Sequence, residues 1–115
     1  MTAFAAPIAE AIWDMKYRLK DADGTPVDQT VEDTWRRIAR ALAAVEKDPV
    51  VWEDRFYHAL EGFKYLPAGR ITAGAGTGRS VTLFNCFVMG TIPDSMGGIF
   101  EALKEAALTM QQGGG

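Results

Sequence analysis

Residues 30–63, TVEDTWRRIARALAAVEKDPVVWEDRFYHALEGF, predict two consecutive helices and decide the fold of the chain. Thr30 is a good N-cap residue, and Asp33 occupies the position of a capping-box acid. Apolar residues then recur at spacings of three and four, as on the buried face of a helix. This face consists of Val31, Trp35, Ile38, Leu42 and Val45. The basic residues fall mostly outside it, and we expect a solvated patch of Arg36, Arg37 and Arg40.

The second helix begins at Asp48 and Pro49, an acid at the cap followed by a proline at the first helical position. Its predicted buried stripe consists of Trp52, Phe56, Ala59, Leu60 and Phe63, and it ends near Gly62. Because the link between the helices is short, they are predicted to form an antiparallel pair. His58 lies at the edge of the stripe, where we expect a solvated or core-edge histidine.

The segments on either side of this pair are less regular. Apolar and charged residues are mixed without a clean period at 8–20, and the sequence DADGTP at 21–26 is typical of a turn. We therefore expect a short helical or extended opening that is closed by a turn. Residues 66–80 are rich in Gly, Ala, Thr and Arg, which predicts a loop. The glycines at 74–78 look like a phosphate loop, but the dinucleotide pattern needs a strand before them and a helix directly after. A plain loop is therefore the interpretation.

A strand and a third helix are predicted after this loop. Residues 81–89 are β-branched and aromatic, which is typical of a strand buried on both faces. Asp94 and Ser95 offer a helix cap, although a helix start with an aspartate could also bind a nucleotide phosphate and ribose. The apolar stripe of the helix is Ile99, Phe100, Leu103, Ala106, Ala107 and Met110. Since a single strand needs sheet partners, we expect an α+β arrangement in which helices precede the strand–helix unit of a larger sheet or barrel.

The bulk composition excludes several classes of protein. The chain has 115 residues, 48% of them hydrophobic and 23% charged, as in an ordinary globular domain. A net charge of −3 argues against a nucleic-acid footprint, and no apolar run is long enough to cross a membrane. Residues 1–7 are small and apolar but lack the basic start of a signal peptide. A cytoplasmic location is expected by default.

Cys86 is the only cysteine and His58 the only histidine, so we expect no disulfide within the chain and no structural metal site. Three interpretations of Cys86 remain open at this point. It could be a buried hydrophobic residue, a lone reactive thiol, or half of a pair whose partner lies elsewhere.

The second half of the chain resembles a known family. The residues that carry the resemblance are TLFNCFVMGTIPDSMGGIF at 82–100, LKEAA at 103–107 and QQGGG at 111–115, preceded by LPAGRI at 66–71 and AGAGT at 73–77. Together they resemble the large chains of ribonucleotide reductases, most closely the adenosylcobalamin (vitamin B12)-dependent class II. The resemblance implies a helical N-terminal domain at residues 1–66 and, at 67–115, the first strand–helix unit of a ten-stranded catalytic α/β barrel.

The resemblance also implies an activity and site residues. A reductase of this family replaces the ribose 2′-hydroxyl of a ribonucleotide by hydrogen, with a thiyl radical and two electrons from a cysteine pair. Cys86 matches one member of that pair, and its partner would lie outside this chain. Gly69, Asn85, Cys86 and Gly114 match substrate-binding positions. Gly69 aligns near a family position that carries a small hydroxyl residue, and since glycine has no hydroxyl, the contact there is lost or comes from the backbone. Asp94, Ser95 and Met96 match the start of the site for a deoxynucleotide effector.

Partners and rival hypotheses follow from the same resemblance. We expect a thioredoxin-like or other thiol reductant, a homodimer in the full-length enzyme, adenosylcobalamin bound outside these residues, and no activity of the fragment alone. The chain reaches its helical domain by Thr30, without the ATP-binding domain that opens many iron-dependent class I chains, which favours class II. The rivals are a class I large chain with a separate radical-generating subunit and a non-catalytic helical interaction module.

Overall fold

The computed structural model describes residues 3–115, which form a chain of helices. Helix α1 is Pro7–Ile12 and continues into a π-helical turn, Trp13–Tyr17. Helices α2, Val31–Ala43, and α3, Pro49–Leu60, follow, and a 3-10 turn, Glu61–Phe63, extends α3. Two further helices are α4, Gly69–Gly74, and α5, Met96–Gln111. Residues 1–2, part of the segment that lacks signal-peptide features, lie outside the described residues.

Helix α2 is the centre of the fold, and its prediction is confirmed. The Thr30 side chain accepts a hydrogen bond from the Asp33 amide while the Asp33 carboxylate accepts one from the Thr30 amide, which is a capping box. Val31, Trp35 and Ile38 are buried as the pattern predicts. Leu42 is 37% exposed and Val45 88% exposed, so the predicted face is wrong at its end. The helix ends at Ala43, and Val45 therefore lies past the last helical turn.

Helix α3 packs along α2, as the predicted helix pair requires. Pro49 occupies the first helical position, and the helical conformation is interrupted at Gly62, which has a φ of 68°. Of the predicted stripe only Leu60 is buried, while Trp52 and Phe56 are half-buried and Ala59 is exposed. The stripe prediction is therefore wrong in part, because side chains of α2 contact Glu53 and Tyr57, each one residue further along the chain than Trp52 and Phe56 of the predicted stripe.

The opening segment combines the helical and turn structures that were predicted. Trp13 in the π-helical turn is buried, and its Nε1 donates a hydrogen bond to Thr34 Oγ1 on α2 at 3.0 Å. An isolated antiparallel bridge joins Lys20 to Pro26, and the Asp21 carboxylate accepts bonds from two backbone amides within the turn. The turn thus brings residues 27–28 back beside α2.

Residues 66–80 are not only a loop, because α4 occupies Gly69–Gly74. The expectation of no helix here is wrong because tertiary contacts stabilise α4. Ile71 packs against the buried core, and carbonyl groups at the C-terminal end of α4 are bound by a side chain of α2. Such contacts offset the poor helix propensity of the glycines at its two ends.

Residues 81–89 do not form the buried strand that was predicted. Within residues 3–115 the structure contains no strand, and Val88 in this segment is fully exposed. A run of apolar residues becomes a buried strand only where sheet partners cover it, and these residues supply one short partner. The Gly115 amide donates to Asn85 O at 2.9 Å and the Phe87 amide to Gly115 O at 2.8 Å. This is the bonding pattern of a parallel pair.

Helix α5 begins and ends as predicted. Ser95 is the N-cap, and its side chain accepts a bond from the Gly98 amide. The Gly114 amide donates to Thr109 O and the Gly113 amide to Met110 O, with a φ of 88° at Gly113, which is a Schellman ending. No residue of α5 is buried, so the predicted apolar stripe is exposed among the described residues. None of the helices at residues 3–115 is both long and apolar enough to span a membrane.

Candidate functional site

A buried ion pair organises the region around the candidate site. Asp28 and Arg37 are both buried, and the Arg37 Nη2 lies 3.0 Å from Asp28 Oδ2. The same carboxylate oxygen accepts bonds from the Thr34 hydroxyl at 2.7 Å and the Leu19 amide at 3.0 Å. Because every lone pair in a buried carboxylate needs a donor, these contacts make burial of the charge tolerable.

Arg37 extends this network to two other elements. Its guanidinium donates to Ala75 O at 2.6 Å and Thr72 O at 3.1 Å, at the end of α4, and to Tyr17 O at 3.2 Å, at the end of the π-helical turn. The prediction that Arg37 belongs to a solvated patch is therefore wrong. The signal that could have revealed it is the spacing of Thr34, Arg37 and Ala41, which places Arg37 on a helix face next to the apolar stripe.

The glycine loop at 74–78 packs on the same side of α2. A Cβ atom on Gly76 would lie 2.9 Å from Arg37 Cγ, 3.0 Å from Arg37 O and 3.3 Å from the Ala41 Cβ. Gly76 also has a φ of 72°. Glycine is required here because the loop lies directly on the helix, which agrees with the interpretation that this is not a phosphate loop.

The bonds from Arg37 to the ends of the π-helical turn and of α4 are called the Arg37 clamp. The Arg37 clamp aligns the walls of a polar cleft between these two elements. The cleft has a volume of about 360 Å³ and is lined by Lys16, Tyr17, Gly69, Arg70, Ala73 and Asn85. A second cavity of about 230 Å³ adjoins it through Lys16, Tyr17 and Arg70 and adds Arg79. Although the whole chain is acidic, the long side chains around these cavities are cationic, which suits an anionic ligand.

Two of the four candidate substrate residues of the sequence, Gly69 and Asn85, line this cleft. Cys86 follows Asn85 in the chain, and Gly114 precedes Gly115, which lies near both Asn85 and Cys86. A Cβ on Gly69 would lie 4.0 Å from Asn85 Nδ2, and a Cβ on Gly115 would lie 3.3 Å from Asn85 O and 4.0 Å from Cys86 Sγ. Gly114 itself is buried, and a Cβ there would come within 2.6 Å of the Phe87 ring. The tail glycines can therefore lie against the Asn85–Cys86 backbone only because they have no side chains.

Cys86 is a free and exposed cysteine. Of the three interpretations, the buried hydrophobic residue is wrong for this chain, because the segment that carries Cys86 is not covered by a sheet. An accessible thiol is the form that redox chemistry requires.

The proposed effector residues lie apart from the cleft, at the start of α5. Asp94, Ser95 and Met96 are exposed, and none of them lines the cleft. Ser95 Oγ accepts the Gly98 amide at 3.0 Å, so its capping role is confirmed. This leaves the other amides of the first helical turn and the neighbouring carboxylate facing solvent.

Several other charged groups form local pairs. Arg36 lies 3.8 Å above the Tyr57 ring, and both Arg36 and Arg40 pair with Glu53. His58 is exposed, as expected, and its hydrogen bond to Glu61 lowers the pKa of that carboxyl. The hydrogen bond from Arg18 likewise lowers the pKa of Asp14.

Comparisons with known proteins agree with this arrangement of helices. A family model described as "Ribonucleotide reductase, all-alpha domain" matches residues 4–80. The chain therefore belongs to the ribonucleotide reductase family, and the matched part is the all-alpha domain of that family.

The curated relatives are much longer than this chain. The ribonucleoside-diphosphate reductase subunit alpha of Helicobacter pylori (strain ATCC 700392 / 26695) is 35% identical over 100 residues, which cover 87% of this chain and 12% of the relative. The vitamin B12-dependent ribonucleoside-diphosphate reductase of Mycobacterium tuberculosis (strain CDC 1551 / Oshkosh) is 35% identical over 105 residues, which cover 87% of this chain and 15% of the relative. The ribonucleoside-diphosphate reductase subunit alpha of Chlamydia muridarum is 30% identical over 87 residues, which cover 76% of this chain and 8% of the relative.

Proposed function

We propose that residues 1–115 are the N-terminal part of a ribonucleoside reductase of class II, which converts a ribonucleotide to a 2′-deoxyribonucleotide. The observation that carries this proposal is that Asn85, the neighbour of the exposed Cys86 in the chain, lines a cationic cleft together with Gly69, in a chain of this family. A nucleotide has both groups that such a site needs, an anionic phosphate for the cations and a ribose for the thiol.

In this function Cys86 supplies reducing electrons. Two thiols, Cys86 and a cysteine outside this chain, become one disulfide and release two electrons and two protons. The 2′-hydroxyl of the ribose leaves as water and is replaced by hydrogen, so that atoms and electrons balance. The reaction starts when a thiyl radical on a further cysteine removes the 3′-hydrogen. An external thiol, such as a thioredoxin-like protein, then reduces the disulfide by thiol–disulfide exchange.

The fold around Cys86 is proposed to be the start of a catalytic barrel that follows a helical domain at residues 1–66. The parallel bonding of residues 85–87 to Gly115 supports this, because α5 connects the two segments as the helix of a strand–helix–strand unit does. In the full-length enzyme further strands would cover the residues at 84–89, which are exposed in this chain.

Adenosylcobalamin is the proposed cofactor, and the vitamin B12 dependence named for the Mycobacterium relative supports it. The cavities formed by residues 3–115 reach only a few hundred Å³, which does not fit a corrin ring with its nucleotide tail. We therefore derive no step through the cofactor and assign its binding to other parts of the protein. The names of the relatives also favour a ribonucleoside diphosphate as substrate.

The effector site and the assembly are proposals of the same kind. Asp94, Ser95 and Met96 would contact a deoxynucleotide effector, with α5 in the interface of a homodimer. The start of a helix favours a phosphate through its free amides and its dipole. A cytoplasmic location fits an enzyme that draws on nucleotides and a thiol reductant.

A class I large chain is the second candidate, favoured by the name "subunit alpha" of the Helicobacter and Chlamydia relatives. One experiment separates the two classes. The full-length protein is incubated with ADP, dithiothreitol and adenosylcobalamin, and dADP is measured. Class II predicts turnover that depends on the added cofactor and needs no second protein. Turnover that requires a separate radical-generating subunit would establish class I, and no dADP under either condition would contradict the proposed reductase.

A further inference from the structure

The hydroxyl of Tyr17 lies beside Gly69, a residue whose resemblance to a substrate-binding position is expected to come without the hydroxyl group of that position. A Cβ atom on Gly69 would lie 3.5 Å from Tyr17 Oη and 3.7 Å from Tyr17 Cε1. The phenol thus occupies the space beside position 69 into which a serine or threonine side chain would extend. It also lines the cleft, together with Asn85 and Lys16.

This hydroxyl has no role within the described part of the chain. The hydrogen bonds at residues 3–115 engage the Tyr17 backbone carbonyl, which accepts from Arg37, but not the phenol oxygen. The ring is half-buried and packs against the core, so that the hydroxyl is held at the cleft. A fixed polar group with a free donor, aimed into a cleft, is suited to bind a ligand oxygen.

We infer that the Tyr17 hydroxyl binds the nucleotide substrate and takes the place of the hydroxyl that Gly69 lacks. This inference deepens the proposed function and rests on it. Tyr17 donates a hydrogen bond to an oxygen of the nucleotide, while Lys16 and Arg70 supply positive charge on either side. The Arg37 clamp holds the geometry, since Arg37 binds the Tyr17 carbonyl and the end of α4 together.

The test is a set of variants of the full-length protein. Tyr17→Phe removes the hydroxyl and keeps the ring. Gly69→Ser restores a hydroxyl beside the same space, and it is tolerated sterically because Gly69 has no positive φ and its Cβ would meet only ordinary contacts. Tyr57→Phe is the matched control, because Tyr57 is also half-buried but lies on α3, away from the cleft.

Two quantities are measured for each protein: the KM for ADP in steady-state dADP formation and the Kd for ADP by equilibrium dialysis. Loss of one hydrogen bond to the substrate predicts that Tyr17→Phe raises both by about tenfold, with kcat nearly unchanged. Tyr17→Phe with Gly69→Ser should regain most of this loss. Tyr57→Phe should leave both quantities within about twofold of the wild type.

The inference is overturned if Tyr17→Phe changes neither quantity, if Tyr57→Phe raises them equally, or if Gly69→Ser restores nothing. Failure of the proposed function gives a different result. The wild type would then form no dADP, whereas the dialysis comparison of wild type and Tyr17→Phe would still decide whether the hydroxyl binds the nucleotide.

Discussion

Arg37 illustrates how a single residue can have a role opposite to the one its charge suggests. Its neighbours Arg36 and Arg40 are partly exposed and pair with Glu53, whereas Arg37 is buried and bonded to Asp28 and three backbone carbonyls. Such a residue joins, through backbone carbonyls, elements whose apolar side chains share one core. The opening segment, α2 and α4 meet at this one guanidinium.

Replacing Arg37 with Met should therefore destabilise the chain strongly. The substitution leaves the Asp28 carboxylate buried without its counter-ion, which typically costs about 3–5 kcal/mol. Urea unfolding of the 115-residue chain, followed by the fluorescence of the buried Trp13 and Trp35, measures the loss. Arg40→Met is the control and should cost less than about 1 kcal/mol, since an exposed ion pair contributes little. Equal losses in both variants would contradict the role of Arg37.

Gly76 and Gly78 allow backbone strain to be separated from packing. Both have φ near 70°, but a Cβ on Gly76 would meet α2 and one on Gly78 would meet nothing within 4 Å. Gly78→Ala should cost about 1–2 kcal/mol for the left-handed backbone alone. Gly76→Ala should cost about 1–3 kcal/mol more, because the loop must move off the helix. Urea midpoints that are the same for the two variants would show that the loop does not pack on α2 as described.

At the scale of elements, the sequence predicts what local chemistry determines. The N-terminus of α2, the start of α3 and both ends of α5 follow from caps, prolines and glycines, and all were predicted. Helix α4 could not be predicted, because its stability comes from Arg37, which is distant in sequence. The segment 81–89 has the composition of a buried strand, but its conformation depends on sheet partners that residues 3–115 do not provide.

Ser95 offers a test of the element that begins α5. Ser95→Asp should preserve the helix, because aspartate is as good an N-cap as serine. If the helix start binds a deoxynucleotide effector, the added negative charge should repel its phosphate and lower the affinity by about tenfold or more. The measurement is how strongly dADP formation by the full-length protein depends on added deoxynucleoside triphosphates, each tested in turn. Thr30→Asp, the corresponding change at the cap of α2, is the control and should leave that dependence unchanged. An unaltered response of Ser95→Asp to every deoxynucleotide would argue against effector binding at this helix start.

At the scale of the whole molecule, the described residues divide into a compact part and an uncovered part. The core consists of residues from the opening segment, α2, α3 and the loop after α4, whereas α5 and the residues before it bury almost nothing. The resemblance carried by residues 66–115 supplied the candidate site residues, and of these Gly69 and Asn85 line the cleft. Lys16 and Tyr17 were not identified, because they lie in an irregular segment whose position at the cleft is set by the Arg37 network.

The uncovered part predicts that the isolated 115-residue chain associates in solution. Phe100 and Leu103 on α5 are 61% and 59% exposed, and an apolar surface of this kind favours contact with other molecules. Light scattering should show a mass above that of the monomer, and the double variant Phe100→Glu, Leu103→Lys should reduce it. The control is Val45→Glu, Val50→Lys, at two exposed valines near the α2–α3 link. A monomeric wild type, or equal effects of both double variants, would contradict this account.

The central claim is that Cys86 supplies reducing electrons, and Cys86→Ser in the full-length protein tests it most directly. The variant should lose sustained dADP formation with an external thiol while keeping the first step, because a different cysteine removes the 3′-hydrogen and serine cannot form the disulfide. The melting temperature is measured beside the turnover, because a melt near that of the wild type shows that the lost turnover does not come from lost folding. Steady-state dADP formation and a thermal melt are measured on one preparation. Lost turnover with an unchanged melt is the predicted result. Near-normal turnover in the variant would contradict the redox role of Cys86.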